Sequence, residues 1–163
     1  TVIATASRPE TRAWVQDLGA DVVLDHSRPL ADEFARAGLA APGFVFSTTH
    51  TDKHLDEIVK LIAPQGRFAL IDDPEALDIL AFKRKSVSVH WELMFTRSMF
   101  STDDIDQQGA LLDKVSNLVD AGTIRTTLAE HYGRINAENL KRAHALLESN
   151  RARGKIVLEG FGA

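Results

Sequence analysis

The 163-residue chain contains no cysteine. Disulfide bridges and cysteine-bound zinc are therefore excluded within it, and a reducing compartment is compatible with that composition. No apolar run approaches the length of a membrane span, and no signal-peptide pattern is present. The expected location is the cytoplasm. Neither sign of charge dominates: 19 Lys and Arg stand against 23 Asp and Glu, a net charge of −4, with both signs mixed along the chain. Binding nucleic acid calls for a basic patch or stripe, so neither nucleic acid nor a membrane is an expected partner. Glycine is missing from the first stretch, where none occurs before Gly19. A nucleotide-binding parallel sheet normally opens with a strand and a glycine-rich turn. Repeats, low-complexity tracts and linkers that would force a domain break are also absent.

What is present fits a globular domain of ordinary size: 44% of residues are hydrophobic and 26% charged, enough to bury a sizeable core. Short runs rich in β-branched or aromatic residues predict strands over Thr1 to Ala6, Val22 to Leu24, Gly43 to Ser47, Arg67 to Ile71 and Ser86 to His90. Helical patterns lie between them. Ser7 and Glu10 have the spacing of a capping box, Trp14 and Leu18 are four apart, and Gly19 is placed as a C-terminal cap. Leu55, Ile58, Val59 and Ile62 share a helix face that "APQG" ends at Pro64 and Gly66. Alternating strands and helices with continuously apolar strands predict an α/β fold, a parallel sheet with flanking helices. After about His90 the pattern changes. A long connection, "ELMFTRSMFSTDD", leads to a helix from about Thr102 to Ala121 that stops at Gly122. "IRTTLAEHY" reads as a strand, a helix capped by Asn136 follows, and a strand from Lys155 to Leu158 closes the chain.

Four stretches carry a resemblance: "VIATASRPETRAWVQDLGADVVLDH", "FVFSTTHTDKHLDEIVKLIAPQGRFALIDD", "FKRKSVSVHWELMFTRSMF" and "AENLKRAHALLESNRARGKIVLEGF". In this order and spacing the chain resembles the C-terminal part of a medium-chain dehydrogenase/reductase, most closely the zinc-binding-dehydrogenase and quinone-oxidoreductase branch. The resemblance implies a Rossmann-like parallel sheet lacking its first strand and glycine-rich turn, with Thr1 to Ala6 as the second strand. Residues 1–123 would be a partial NAD(P)-binding domain, and residues 124–163 a strand–helix–strand return that packs on an absent N-terminal catalytic domain. The chain is then expected to be part of a longer protein, a homodimer when complete and inactive in this portion alone. In the family's strand order 3-2-1-4-5-6 the first strand lies in the middle. Its loss would leave both neighbours with an unpaired edge, unless they close on each other or another copy covers them. "IRTTLAEHY" and "GKIVLEG" would lose their sheet in the same way.

The resemblance also implies an oxidoreductase that transfers hydride between nicotinamide and a carbonyl, quinone or enone. Ser7 and Arg8 follow the strand after which NAD-binding folds carry an acid for the ribose hydroxyls, and NADP-binding folds a base for the 2′-phosphate. An arginine stands there and no acid does, which favours NADP(H) over NAD(H). Ser7 as N-cap and Arg8 as a solvated first-turn residue is the plainer alternative. His26 could flank the adenine or be an ordinary loop histidine. Ser47, Thr48 and Thr49 lie at a strand end where cofactors sit, and at least one of them is expected to cap the next helix. His50 and His54 are four apart as helix-borne metal ligands would be, but no glutamate lies between them in the zincin arrangement, and zinc is not supported within this chain. Ile71 and Asp72 end a strand and could touch the cofactor, or form a turn before Pro74. Met94 and Phe95 resemble the family's nicotinamide lining, or pack in a core or subunit seam. Arg153 and Lys155 could reach a cofactor phosphate, or be solvated. No catalytic residue is assigned. A non-catalytic scaffold or dimerisation domain is the alternative function, and a different Rossmann-like enzyme, such as a methyltransferase, the third.

Overall fold

A computed structural model describes residues 1–161. The chain divides into two compact units, the first Thr1–Gln108 and the second from Gly109 onward. In the first unit, β1 (Ile3–Thr5), α1 (Pro9–Asp17), β2 (Val22–Leu24), α2 (Leu30–Arg36), β3 (Phe44–Ser47), α3 (Thr51–Leu61), β4 (Arg67–Leu70), a 3-10 helix (Ile79–Lys85), β5 (Ser88–Trp91) and α4 (Thr96–Phe100) follow one another. The helix α5 (Gln107–Asp120) crosses the boundary, and β6 (Leu128–His131), α6 (Ala137–Glu148) and β7 (Lys155–Val157) complete the second unit.

Among the described residues all strand pairs are parallel, as expected for strand–helix–strand units. β1 pairs with β2, setting Ile3 opposite Val22 and Thr5 opposite Leu24. β4 lies between β3 and β5, with Val45 opposite Phe68 and Phe68 opposite Val89. β1 and β3 are not hydrogen-bonded to each other. The two strands that would flank a central strand have therefore not closed up; each keeps an edge toward a cleft between them. β6 and β7 pair with each other across α6, so the return segment retains a two-stranded sheet where it was expected to lose its sheet.

The core of the first unit sits on one face of β3–β5. Phe68 and Leu70 from β4 pack with Ile58 and Ile62 from the α3 end and with Phe82 from the 3-10 helix. The Phe68 and Phe82 rings are 5.2 Å apart. Period-2 alternation sends Phe44 and Phe46 to the other face, where they are 73% and 61% exposed. Gly66 is required where the chain turns into β4: an added Cβ would meet the Ala63 carbonyl oxygen at 2.8 Å.

Several boundaries differ from those the sequence predicts. The Ser7–Glu10 capping box does not form, because Pro9 opens α1 and the residue before a proline is pushed out of helical geometry. Arg8 is thus the N-cap, extended at φ −92° and ψ 143°, with no side-chain cap. Ser86 ends the 3-10 helix in the left-handed region at φ 51°, so β5 starts later, at Ser88. The long connection after β5 contains α4. The following helix begins at Gln107 rather than Thr102, since the Thr102 hydroxyl donates to Asp104 Oδ1 at 2.7 Å and a local side-chain turn replaces the first helical turn. Asn136 does cap α6, accepting from the Asn139 amide at 2.8 Å. Among the described residues no helix is long and apolar enough to cross a membrane.

Candidate functional site

The C-terminal ends of β1, β2 and β3 rise around the cleft between β1 and β3. In parallel α/β sheets ligands sit at such ends, where strand order reverses. The cleft has a volume of about 340 Å³ and is lined by Thr5, His26, Ser47, Thr48, Thr49, His50 and His54 at its polar end, with Ile3, Phe34, Val45 and Ile58 among its apolar walls. It therefore gathers four of the sequence-predicted residues, His26, Ser47, Thr48 and Thr49. Thr48 and Thr49 are exposed, and Ser47 and His26 half-buried. His26 Nδ1 lies 3.4 Å from Thr5 Oγ1, and its ring centroid is 6.0 Å from that of His54. Burial, followed by the neighbouring His26 and His50, holds His54 below the usual imidazole value.

The floor at the end of β3 is a polar network. Thr51, fully buried as the first residue of α3, donates its amide to Asp72 Oδ2 at 2.9 Å, and its hydroxyl also donates to the Asp72 carboxylate. Ser47 Oγ lies 2.7 Å from Thr51 Oγ1. No cap for α3 comes from the expected Ser47, Thr48 or Thr49 run. The N-cap is His50, left-handed at φ 53° and without a side-chain cap, and Asp72 supplies the missing acceptor from the end of β4. Desolvation pushes the Asp72 carboxyl up, but the hydrogen bonds from Thr51 outweigh it and hold the group below its ordinary value. At the other end of α3, Lys85 Nζ donates to the Lys60 and Ile62 carbonyls, each at 2.7 Å. An anion at the N-terminus and a cation at the C-terminus both complement the helix dipole. Asp72 thus holds α3, and through it the loop of Ser47 to His50. Neighbouring Ile71 continues the ladder by donating its amide to the Ser47 carbonyl at 3.2 Å, with its side chain 46% exposed.

Ser7 and Arg8 form the turn that leaves β1. Arg8 Nε lies 3.3 Å from Glu10 Oε1, and its side chain is 31% exposed. Met94 and Phe95, 66% and 55% exposed, precede α4 and do not line the cleft; a core role is ruled out for them in this unit. Arg153 and Lys155 belong to the second unit, exposed before and at the start of β7. Sequence reasoning missed Thr51, Arg12 and the pairing of Glu10 with Arg8. The four-residue step from Ser47 to Thr51 was a usable signal. Arg12 offered none, because its partners are backbone carbonyls. Among the described residues no group of three or more His, Cys, Asp or Glu side chains could hold a metal ion.

A zinc-binding dehydrogenase family model matches residues 3–158. A zinc-type alcohol dehydrogenase-like protein of Staphylococcus aureus (strain MSSA476) is 33% identical over 159 residues, 97% of this chain and 48% of that protein. A crystal structure from Rhizobium etli CFN 42, assigned as a zinc-dependent alcohol dehydrogenase, is 67% identical with a TM-score of 0.94 and covers all of this chain and 48% of that one. An NAD-dependent alcohol dehydrogenase of known structure shares the fold at a TM-score of 0.75 and 22% identity, covering 98% of this chain and 43% of that one. The chain spans about half the length of the curated relatives it matches. With the family model spanning residues 3–158 and a structural relative 67% identical at a TM-score of 0.94, the chain belongs to the zinc-binding dehydrogenase family.

Proposed function

We propose that this chain supplies the adenosine-binding side of an NADPH-dependent oxidoreductase that transfers hydride between nicotinamide and a carbonyl, quinone or enone. The observation that carries the proposal is the turn after β1, where Ser7 and the Arg8 guanidinium stand and no acid precedes them. An arginine presents two parallel donors to a phosphate; Glu10, whose Oε1 lies 3.3 Å from Arg8 Nε, pairs with that guanidinium here, and a bound 2′-phosphate would share or displace it. The same fold serves an enzyme named as NAD-dependent, so the fold does not choose the cofactor and the turn must.

The residues present fit the adenosine end of such a cofactor. The Thr48 and Thr49 hydroxyls and the His26 imidazole gather at the polar end of the cleft, beyond the strand ends, where they would face the adenosine. A glycine-rich cradle for the pyrophosphate is not among the described residues. Under this proposal it arrives with a parallel strand that fills the slot between β1 and β3 and comes from the remainder of the protein. When bound, the nicotinamide cofactor supplies the hydride chemistry; this chain's residues bind, orient and discriminate. The proposal includes a homodimer, in which exposed Trp91, Met94 and Phe95 next to β5 are candidates for the seam.

The test is a titration of the complete protein with NADPH and NADH. NADPH should bind more tightly, and Arg8→Ala should weaken NADPH about tenfold or more while leaving NADH within about twofold, since tenfold corresponds to about 1.4 kcal/mol, a modest share of a charged pair. Equal affinities in the parent, unaffected by Arg8→Ala, would sink the assignment.

A further inference from the structure

Arg12 makes two hydrogen bonds that the family reading does not use. Its Nη1 donates to the Ala6 carbonyl at 3.1 Å and its Nη2 to the Val23 carbonyl at 2.9 Å. Ala6 is the last residue before the Ser7–Arg8 turn, is 4% exposed, and donates its own amide to the Leu24 carbonyl at 2.9 Å. The ladder directs the Leu24 carbonyl and the Val22 amide toward β1, so alternation turns the Val23 carbonyl away from it. The guanidinium therefore reaches one carbonyl at the end of β1 and a second that the β1–β2 ladder leaves unused.

α1 buries none of its own residues, and Arg8 at its N-cap receives no side-chain cap. The first helical turn is joined to Arg8 by local contacts, the Arg12 amide and the Thr11 hydroxyl both donating to the Arg8 carbonyl, at 2.9 and 3.0 Å, and Glu10 pairing with its guanidinium. The Arg12 fork ties that turn back to two strands. Its planar geometry matters: lysine would bring a point charge without the fork, and glutamine too few donors to serve both carbonyls as firmly.

We propose that Arg12 is a positioning residue for cofactor selection, clamping the β1–α1 turn so that Ser7 and Arg8 are held ready for a 2′-phosphate. This rests on the assignment of that turn to NADPH. Preorganised donors bind more tightly because less freedom is lost on binding, and the benefit falls on NADPH alone, since NADH has no 2′-phosphate for the turn to meet.

Arg12→Gln, Arg12→Lys and Arg8→Ala forms of the complete protein would be titrated with NADPH and NADH, and their amide hydrogen exchange followed. Arg12→Gln should weaken NADPH about tenfold and NADH less than about threefold, with Arg12→Lys between it and the parent. Amides between Ser7 and Thr11 should exchange faster while those of β4 stay protected. Equal weakening of both cofactors, as a merely structural role would give, or no change in either, would overturn the proposal. If Arg12→Gln does not fold, Arg12→Lys carries the same comparison. Failure of the cofactor assignment shows separately, as an Arg8→Ala form with no selective loss. Unchanged exchange between Ser7 and Thr11 without the arginine fork would overturn the clamp whatever Arg8→Ala does.

Discussion

Replacing Asp72 by alanine isolates the contact that fixes the floor of the cleft. Asp72 accepts from both the amide and the hydroxyl of Thr51, a residue with no exposure. Loss of a helix cap costs about 1 kcal/mol, and a hydrogen bond to a charged acceptor contributes about 1.5–3 kcal/mol. These overlap here, and Asp72 is itself half-exposed, so the lower part of the range applies. The Thr51 hydroxyl also keeps Ser47 at 2.7 Å, which leaves the Thr51 amide as the group without an acceptor. The expected loss is about 2 kcal/mol for Asp72→Ala. About half of that is expected for Asp72→Asn, which retains an acceptor oxygen, and for Thr51→Val, which retains the amide bond. Urea unfolding of the complete protein at pH 7 measures it, and amide exchange in α3 should report the same loss locally. The pH dependence has a definite sign. A carboxyl held below its unfolded value of about 3.9 stabilises the fold above that value, and the effect is lost as pH falls through the folded value. The gap between the parent and Asp72→Ala should therefore close toward pH 3. A loss below about 0.5 kcal/mol at pH 7, or a gap that stays constant down to pH 3, would refute the capping role and return Asp72 to the pool of free ligand-binding carboxylates.

Three further outcomes follow from the geometry. Gly66→Ala places a methyl 2.8 Å from the Ala63 carbonyl oxygen and 2.9 Å from Ile62 Cγ1; neither can yield easily, and a loss of about 1–3 kcal/mol should appear as a lower melting temperature. Phe68→Ala empties the centre of the β3–β5 core, where Phe68 has no exposure, and should cost about 3–5 kcal/mol by denaturant unfolding. His54 should titrate below the ordinary 6.5 when followed by its ring proton resonances. His26→Gln should raise that midpoint, because it removes one of the charges opposing protonation; an unmoved midpoint would remove His26 from the causes and leave burial and His50.

The strands of the first unit were legible because β-branched and aromatic residues cluster in short runs such as "FVFS" and "RFAL", and parallel pairing follows when helices separate them. Three elements escaped for reasons of length and partnership, α4 being only five residues long. α2 is seven residues long with Pro29 as an uncapped N-cap, and its first turn is served from another helix, Glu57 accepting the Ala31 amide at 3.0 Å. The 3-10 helix is held by Phe82, 1% exposed, and by Asp78 accepting the Leu80 amide at 3.0 Å. Seven residues give α2 and the 3-10 helix too few turns for a period to stand out in sequence. At the site, residues that share a strand end were readable from order alone, so His26 and the Ser47–Thr49 run meet in one cleft. What order cannot reveal is competition between neighbours. Pro9 moved the cap from Ser7 to Arg8, and Asp72, 21 positions away, took over the capping expected of the β3 end.

The most direct test of the central claim is a crystal structure of the complete protein with NADPH. The account predicts the 2′-phosphate within hydrogen-bond distance of Ser7 and Arg8, the adenosine beyond the strand ends beside His26, Thr48 and Thr49, and a parallel strand filling the cleft itself, hydrogen-bonded between β1 and β3. A 2′-phosphate turned to solvent and making no contact with Arg8, or β1 and β3 paired directly to each other, would contradict it.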